Sequence, residues 1–182
     1  DARTETFRTW RRDANGVRGP RSASVDALVQ SADGGLWVGG DGGLDRFDPR
    51  ANAFAPVALG TARVAPIVWS VYVDRKGAVW AGTQTGLFVR ARGASRFVRF
   101  PLQRAARLAT PAVYSVYEDG GGRIWAGSVN ALFEIDASRR AVHALLSAPQ
   151  NARTLAPGQQ WSLIEMTPGV LWEGTDSAVS IV

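Results

Sequence analysis

Four tryptophan residues recur at nearly regular intervals and divide the chain into similar units. They are Trp37, Trp80, Trp125 and Trp172, separated by 43, 45 and 47 residues. In every unit one glycine stands three residues before the tryptophan and another two residues after it. An aliphatic residue directly precedes the tryptophan, and a second one follows seven positions later. These matches indicate an internal repeat of about 45 residues, which must fold as a series of similar supersecondary units.

Each unit has the pattern of several short strands. A run rich in β-branched and aromatic residues precedes each tryptophan (VDALVQ, VWSVYV, VYSVYE and QWSLIE), and the following turn contains a glycine that permits positive φ. The tryptophan segment is a second strand and the segment after the next turn a third. Apolar residues three apart mark a fourth: Phe54 with Val57, Phe97 with Phe100, and Val142 with Leu145. Because helical periodicity is not sustained anywhere, we predict an all-β propeller of four-stranded antiparallel blades, with the tryptophans packed between neighbouring blades.

The whole chain, residues 1–182, is predicted to be one β-propeller domain of about four blades, a partial or half propeller. The repeats cover roughly residues 17–57, 58–100, 101–145 and 146–182, and the last stops inside its third strand. The segment at residues 7–10 (FRTW) matches the fourth-strand pattern, so we expect residues 3–10 to form the outer strand of a neighbouring or closing blade. Three arrangements remain open: a four-bladed ring, two chains exchanging strands in an eight-bladed ring, or a fragment of a longer sensor.

Composition excludes several classes of protein. Hydrophobic residues make up 46% of the chain and charged residues 20%, which is typical of a soluble globular protein, and no apolar run is long enough to span a membrane. The absence of cysteine excludes disulfides and thiolate metal sites. The net charge of +5 comes from an Arg-rich, Ala-rich composition typical of a GC-rich coding sequence, so we expect no nucleic-acid partner. The N-terminus lacks the features of a signal peptide, which fits a cytoplasmic protein or a mature or excised piece.

The repeats resemble those of the two-component regulator propeller. The most similar copies are VYVDRKGAVWAGTQTGLF (residues 71–88) and VYEDGGGRIWAGSVNALF (residues 116–133), and the resemblance extends from residue 16 onward. The family's turn aspartate is replaced by Ser31 in the first copy and by Met166 in the fourth. Members of this family are seven-bladed sensor propellers in the extracytoplasmic part of membrane-bound histidine kinases or diguanylate cyclases. The resemblance implies a periplasmic, ligand-sensing module of a signal-transduction protein anchored in the inner membrane.

A candidate ligand site follows from the position eleven residues before each tryptophan. It is occupied by Asp26, Trp69, Tyr114 and Trp161, each near the start of an innermost strand. Innermost strands line the central channel of a propeller, so these residues should surround one mouth of it. Aromatic faces beside an acid suit stacking on sugar rings and hydrogen bonding to hydroxyls. The alternative is that the aromatic residues only fill the channel. Arg63, Gln159 and Gln160 are expected to be the polar groups that join the site.

Catalysis has little support in the sequence. The single histidine, His143, falls on a predicted outer strand, so neither a histidine metal cluster nor a convincing catalytic triad can be assembled. Asp74 and Asp119 occupy the same turn position in successive repeats, which favours turn capping over acid–base chemistry. We therefore predict no enzymatic activity, no catalytic residues, no metal and no cofactor.

The predicted function is ligand sensing, with a carbohydrate-type or other small-molecule signal. A protein-interaction scaffold without a small-molecule ligand is the alternative, and a glycan-acting propeller enzyme the third possibility. Because the fourth repeat is incomplete, we also expect a homodimer formed through strand exchange or through open blade edges. Contact with the membrane would require segments that the sequence does not contain.

Overall fold

The chain folds into four antiparallel sheets, one from each repeat. The computed structural model describes residues 6–61, 63–106, 111–148, 150–151 and 153–182. In each sheet the strands lie side by side in the order in which they occur in the sequence. This arrangement confirms the predicted all-β fold of propeller blades.

Three sheets have four strands and the last has three. The first contains β1 (Val25–Gln30), β2 (Leu36–Gly40), β3 (Gly43–Asp48) and β4 (Ala53–Val57). The second contains β5 (Val68–Val73), β6 (Val79–Thr83), β7 (Gly86–Arg90) and β8 (Val98–Arg99), followed by the one-turn helix α1 (Gln103–Ala106). The third contains β9 (Ser115–Glu118), β10 (Ile124–Gly127), β11 (Ala131–Ile135) and β12 (Val142–Leu146). The fourth contains β13 (Gln160–Thr167), β14 (Val170–Thr175) and β15 (Val179–Ile181).

The turn between the first two strands of each sheet depends on glycine. The glycine three residues before each repeat tryptophan has positive φ in all four units: Gly34 at 86°, Gly77 at 78°, Gly122 at 81° and Gly169 at 83°. A side chain is strained in this region of φ, which explains the periodic glycine seen in the sequence.

Neighbouring sheets pack face to face through the repeat tryptophans. Trp80 and Leu87 of the second sheet lie in one buried cluster with Val113, Ile124 and Phe133 of the third unit. Trp37 packs in the same way onto the second sheet, and Trp125 onto the fourth. Complete burial of a large apolar side chain contributes about 1.5–3 kcal/mol, so these clusters are the main stabilising contacts between sheets.

The glycine two residues after each tryptophan lets the next inner strand approach closely. A β-carbon on Gly39 would lie 2.7 Å from a methyl carbon of Val68, and one on Gly82 would lie 2.9 Å from Val113. Val68 and Val113 occupy equivalent positions at the inner strand of the following sheet. Glycine at this position therefore permits the close approach of successive inner strands.

Hydrogen bonds also connect the turns of neighbouring sheets. Glu118 accepts the backbone N–H of Arg75 at 2.7 Å, and Glu165 accepts that of Gly120 at 2.5 Å. Both glutamates stand seven residues before a repeat tryptophan, and both N–H groups belong to the preceding turn. Val73 occupies this position in the second sheet, so the first and second sheets lack the equivalent bond.

The outer face of the fourth sheet is open, and that of the first sheet is only partly covered. Val179 in the fourth sheet is 65% exposed, whereas its counterparts in the other units are fully buried: Leu44, Leu87 and Leu132. Leu28, on the opposite face of the first sheet, is 64% exposed. The prediction that all four repeat tryptophans pack between blades is therefore correct for three and wrong for Trp172, which is 37% exposed because no fifth sheet covers it.

The N-terminal segment lies against the first sheet. Residues 6–10 form no strand, and the Trp10 ring contacts Phe47 and Phe54 with centroid distances of 5.1 and 6.4 Å. Within one chain this segment does not complete the fourth sheet, and residues 1–5 lie outside the described part. Exchange of the segment with a second chain stays a prediction. No helix in the described part of the chain could cross a membrane.

Candidate ligand-binding site

The four residues predicted to surround the channel mouth line one cavity. Asp26, Trp69, Tyr114 and Trp161 come from four different repeats, and the cavity has a volume of about 580 Å³. Ser24, Asp41 and Ile67 complete the lining. We refer to this site as the mouth cavity.

β-Bulges orient three of these side chains toward the mouth cavity. The register between first and second strands shifts at Asp26, at Trp69 and at Trp161, so that each is an extra residue opposite its partner strand. A bulge breaks the alternation of side chains and turns the extra residue out of the sheet face. Tyr114 lies directly before β9, and its backbone N–H bonds to the carbonyl of Gly127 at 2.8 Å. Equivalent backbone irregularities thus bring these repeat positions to the same place.

The aromatic residues of the mouth cavity contact one another. The Trp69 and Tyr114 rings are stacked, with centroids 4.4 Å apart and planes inclined by 18°. Trp161 meets Tyr114 at 4.7 Å and 61°, so its ring stands steeply against the stacked pair. Tyr114 is 8% exposed and its pKa is raised by burial, whereas Trp161 is 46% exposed. Tyr114 therefore supports the other two rings, and Trp161 offers the free aromatic surface.

Asp26 and Asp41 form the acidic side of the mouth cavity, with Ser24 between them. The Ser24 hydroxyl donates to Oδ1 of Asp26 at 2.6 Å, and the Ser24 backbone N–H donates to Oδ1 of Asp41 at 3.3 Å. Oδ1 of Asp41 also accepts the N–H of Ala23 at 2.7 Å. Among the described residues, no hydrogen bond reaches Oδ2 of either aspartate. Asp41 was not among the predicted site residues, because it comes from the β2–β3 turn rather than from an inner strand.

The other three predicted site residues lie outside this cavity. Arg63 is exposed and lines a separate groove with Arg21, Leu44 and Pro66. Gln159 forms an isolated bridge with Val129. Gln160 is fully buried, and its Oε1 accepts the N–H of Ser128 at 3.1 Å. Gln160 points into the interface with the third sheet, where it contacts Ser128, whereas Trp161 faces the cavity, so proximity in the sequence did not place Gln160 in the mouth cavity.

A buried carboxyl lies near Gln160. Glu173 on β14 is 1% exposed, although the equivalent residues in the other units are apolar: Val38, Ala81 and Ala126. No described residue forms a hydrogen bond with either carboxylate oxygen of Glu173 or with Nε2 of Gln160. Burial raises the pKa of Glu173 to about 7, and the nearby Gln160 side chain offsets only part of this shift. The interface between the third and fourth sheets thus contains an ionisable group that the repeat pattern did not predict.

The turn aspartates cap their turns as predicted. Oδ1 of Asp74 accepts the N–H of Ala78 at 2.8 Å, and Oδ1 of Asp119 accepts that of Arg123 at 2.9 Å. His143 lies on the outer strand β12, as expected, and is exposed. Within the described ranges, no group of three metal-binding side chains comes together.

Comparison with known proteins supports the fold. No family model and no curated protein matches the chain. Among solved structures, the chain is similar to the extracellular domain of a protein described as the hybrid two-component system BT4673 from B. thetaiotaomicron. That match has a TM-score of 0.80 at 20% identity and covers 99% of this chain and 24% of the other. The extracellular domain of BT3049 from the same organism matches with a TM-score of 0.63 at 15% identity, covering 99% of this chain and 29% of the other.

The fold also occurs in an enzyme. An ancestral GH74 enzyme matches with a TM-score of 0.67 at 12% identity, over 97% of this chain and 24% of the other. The chain spans about a quarter of the length of these structures. The resemblance to two-component regulator propellers is thus confirmed at the level of the fold: the chain is a run of propeller blades of the kind found in the extracellular domains of hybrid two-component systems.

Proposed function

We propose that this chain is the ligand-sensing propeller module of a membrane-bound bacterial signalling protein, either a histidine kinase or a diguanylate cyclase. The observation that carries the proposal is the convergence of Asp26, Trp69, Tyr114 and Trp161 in the mouth cavity. The fold shared with extracellular domains of two-component systems supports a location outside the cytoplasmic membrane, in the periplasm. The proposed signal is a carbohydrate-type small molecule.

The chemistry of the mouth cavity suits a sugar. One face of a pyranose ring is rich in C–H groups and packs on a flat aromatic surface such as Trp161. Its hydroxyls need acceptors at the edge of that surface, and the carboxylates of Asp26 and Asp41 provide them. The contact between Trp161 and Tyr114 holds the platform in place before the ligand arrives, which lowers the entropy cost of binding.

The same cavity does not support glycoside hydrolysis. Glycosidases place two carboxyl groups on opposite sides of the scissile bond. Asp26 and Asp41 instead both bond to Ser24, so they lie on one side of the cavity. His143 is on an outer strand and does not line the cavity. We therefore propose a binding module rather than an enzyme.

A protein-interaction scaffold is the second candidate, because apolar side chains are exposed on both outer faces. Val179 and Trp172 lie on one face and Leu28 on the other. Such a scaffold would bind proteins through these faces and would leave the mouth cavity empty.

Binding measurements separate the two candidates. Titration with neutral mono- and oligosaccharides, followed by tryptophan fluorescence and calorimetry, should give saturable binding that Trp161→Ala weakens by about tenfold or more. Trp172→Ala is the matched control, since Trp172 has a similar exposure but lies on the outer face of the fourth sheet. Loss of binding in both variants, or in neither, would exclude the mouth cavity as the site.

The encoding gene tests the class and location of the protein. We expect its reading frame to encode a membrane-spanning helix followed by a kinase or cyclase domain. A reading frame that encodes a soluble enzyme without such a helix would contradict the proposal.

A further inference from the structure

The charge of the mouth cavity is opposite to that of the chain as a whole. The sequence contains 21 basic and 16 acidic residues, with a net charge of +5. The charged residues lining the cavity in the described part are nevertheless both acidic, Asp26 and Asp41, and no arginine or lysine lines it. Arg63, six residues before Trp69 in the sequence, lines a different groove. A site of this composition attracts positive charge.

The two aspartates keep acceptor capacity for a ligand. Each uses Oδ1 for hydrogen bonds to residues 23–24, and Oδ2 receives none from the described residues. Elsewhere in the chain, other aspartates are paired with arginine. Asp45, for example, bonds to Arg21 at 2.7 Å, and Asp33 bonds to Arg46 at 2.6 Å. Asp26 and Asp41 form no such ion pair with a described residue, so their charge is available to a ligand.

The aromatic rings of the mouth cavity also favour a positively charged ligand. A cation held over the face of a tryptophan or tyrosine is attracted by the ring quadrupole. Trp69 and Trp161 stand at 77° with centroids 6.5 Å apart, so two differently oriented rings line the same cavity as the aspartates. Aromatic faces together with carboxylates are the combination that recognises an ammonium group on an organic ligand.

We infer that the mouth cavity binds a ligand carrying a protonated amine, and that the ligand is an amino sugar whose ring packs on Trp161 while its ammonium group pairs with Asp26 and Asp41. This inference rests on the proposed function and narrows its ligand class. The hydroxyl-bearing ring accounts for the aromatic platform, and the ammonium accounts for the two unpaired carboxylates. Neutral sugars satisfy only the first of these features.

Three related sugars test the inference on the intact chain: glucosamine, glucose and N-acetylglucosamine. Calorimetry is done at about pH 6, below the range in which an amine of this kind loses its proton. Glucosamine should bind about tenfold more tightly than either neutral sugar, because the ammonium group adds a cation–π contact and ion pairs with Asp26 and Asp41 in an open cavity. Added salt should weaken binding of glucosamine and leave binding of glucose unchanged.

Charge-removing variants then identify the residues. Asp26→Asn and Asp41→Asn keep the shape and an acceptor oxygen, so each should reduce the preference for glucosamine while retaining the affinity for glucose. Asp48→Asn is the matched control, because Asp48 is exposed at the end of β3 and outside the cavity. The preference of the Asp48→Asn variant for glucosamine over glucose should equal that of the unaltered chain.

The outcomes separate this inference from the proposed function. If glucose and glucosamine bind equally well and Trp161→Ala abolishes both, the ligand charge is irrelevant and only the inference is overturned. If none of the three sugars binds, and no neutral oligosaccharide does so either, the proposed function fails together with the inference.

Discussion

Oδ2 of Asp74 accepts a hydrogen bond from the indole N–H of Trp80 at 2.9 Å. Asp119 and Trp125 repeat this arrangement in the third sheet, also at 2.9 Å. Because the other oxygen of each aspartate caps the turn, a single side chain fixes both the turn and the orientation of the tryptophan. The buried indole N–H thereby has an acceptor, which a core tryptophan requires.

The first unit shows what happens without this aspartate. Ser31 takes its position, and Nε1 of Trp37 is buried with no acceptor among the described residues. Two guanidinium groups instead lie over the Trp37 ring, with the Cζ atoms of Arg46 and Arg90 at 4.8 and 4.6 Å from its centroid. Cation–π contacts stabilise the ring, but they do not satisfy its N–H.

Replacement of Asp119 by alanine should strongly destabilise the fold. The variant removes the acceptor for Trp125 Nε1, the turn cap at Arg123 and an ion pair with that arginine at 2.6 Å. Loss of buried hydrogen bonds to a charged group should lower the free energy of unfolding by about 2–4 kcal/mol. Urea denaturation measures this change. Asp48→Ala is the control and should cost less than about 1 kcal/mol, because its hydrogen bonds lie in an exposed turn.

The converse substitution, Ser31→Asp, should stabilise the first unit. An aspartate here can accept the N–H of Trp37, as Asp74 does for Trp80, and the gain should be about 1 kcal/mol. The substitution removes the hydrogen bond that the Ser31 hydroxyl donates to Oδ1 of Asp33 at 2.9 Å, but the ion pair of Asp33 with Arg46 limits repulsion between the two carboxylates. Urea denaturation of this variant and of Ser31→Ala gives the comparison. An unchanged or lower stability of Ser31→Asp would show that the missing indole bond has no energetic effect.

The repeat pattern predicted most of the fold because each periodic residue has a local physical role. The glycine before each tryptophan needs positive φ, and the glycine after it makes room for the next inner strand. The exposure of Trp172 could not be predicted from the same pattern, since burial depends on whether another sheet lies against it.

The mouth cavity was only partly predictable. Equivalence between repeats identified Asp26, Trp69, Tyr114 and Trp161, which share a position and line one cavity. Gln160 was expected beside Trp161, but neighbouring side chains of a strand point to opposite faces, and Gln160 is buried between the third and fourth sheets. Asp41 was missed because its contribution depends on a turn, which the inner-strand pattern does not describe.

Stability should fall as the pH rises through neutrality, because of Glu173. Its pKa is about 7 in the folded chain, above the ordinary value of 4.5, so the folded state holds this proton more tightly than the unfolded state does. The favourable contribution of the protonated form is complete below pH 4.5 and is lost as the pH rises through about 7. At about 1.4 kcal/mol for each pKa unit, this loss amounts to roughly 3 kcal/mol.

The variant Glu173→Gln isolates this effect. It keeps the shape of the side chain and removes the ionisation, so its stability should match that of the unaltered chain in acid and exceed it above neutral pH. Urea midpoints measured across this pH range give the comparison. Glu134→Gln changes a half-buried glutamate on β11 and serves as the control. A parallel pH dependence in Glu173→Gln and the unaltered chain would show that another group causes the loss.

We propose that this chain self-associates through the free edge of its fourth sheet. Among the described residues, no fourth strand pairs with β15, and a groove of about 520 Å³ lined by Leu145, Ile181 and Val182 adjoins it. Unpaired strand edges next to exposed apolar side chains favour pairing with another chain. Phe7 is 96% exposed, so it is accessible to the groove of a second copy. A twofold exchange uses the same edge in both chains, so it produces a closed dimer.

Light scattering tests this association. We expect a mass of twice the 19.5 kDa of one chain at micromolar concentration. For the exchange to occur, Trp10 must first leave Phe47 and Phe54. Deletion of residues 1–10 removes the exchanged strand and should therefore give the monomer mass. The chains could instead associate through the open faces of their fourth sheets. Val179→Asp places a charge on this face and so distinguishes such association from strand exchange. If this variant is monomeric and the deletion variant remains dimeric, the chains associate through their open faces and not through the exchanged strand; a monomeric unaltered chain excludes both modes.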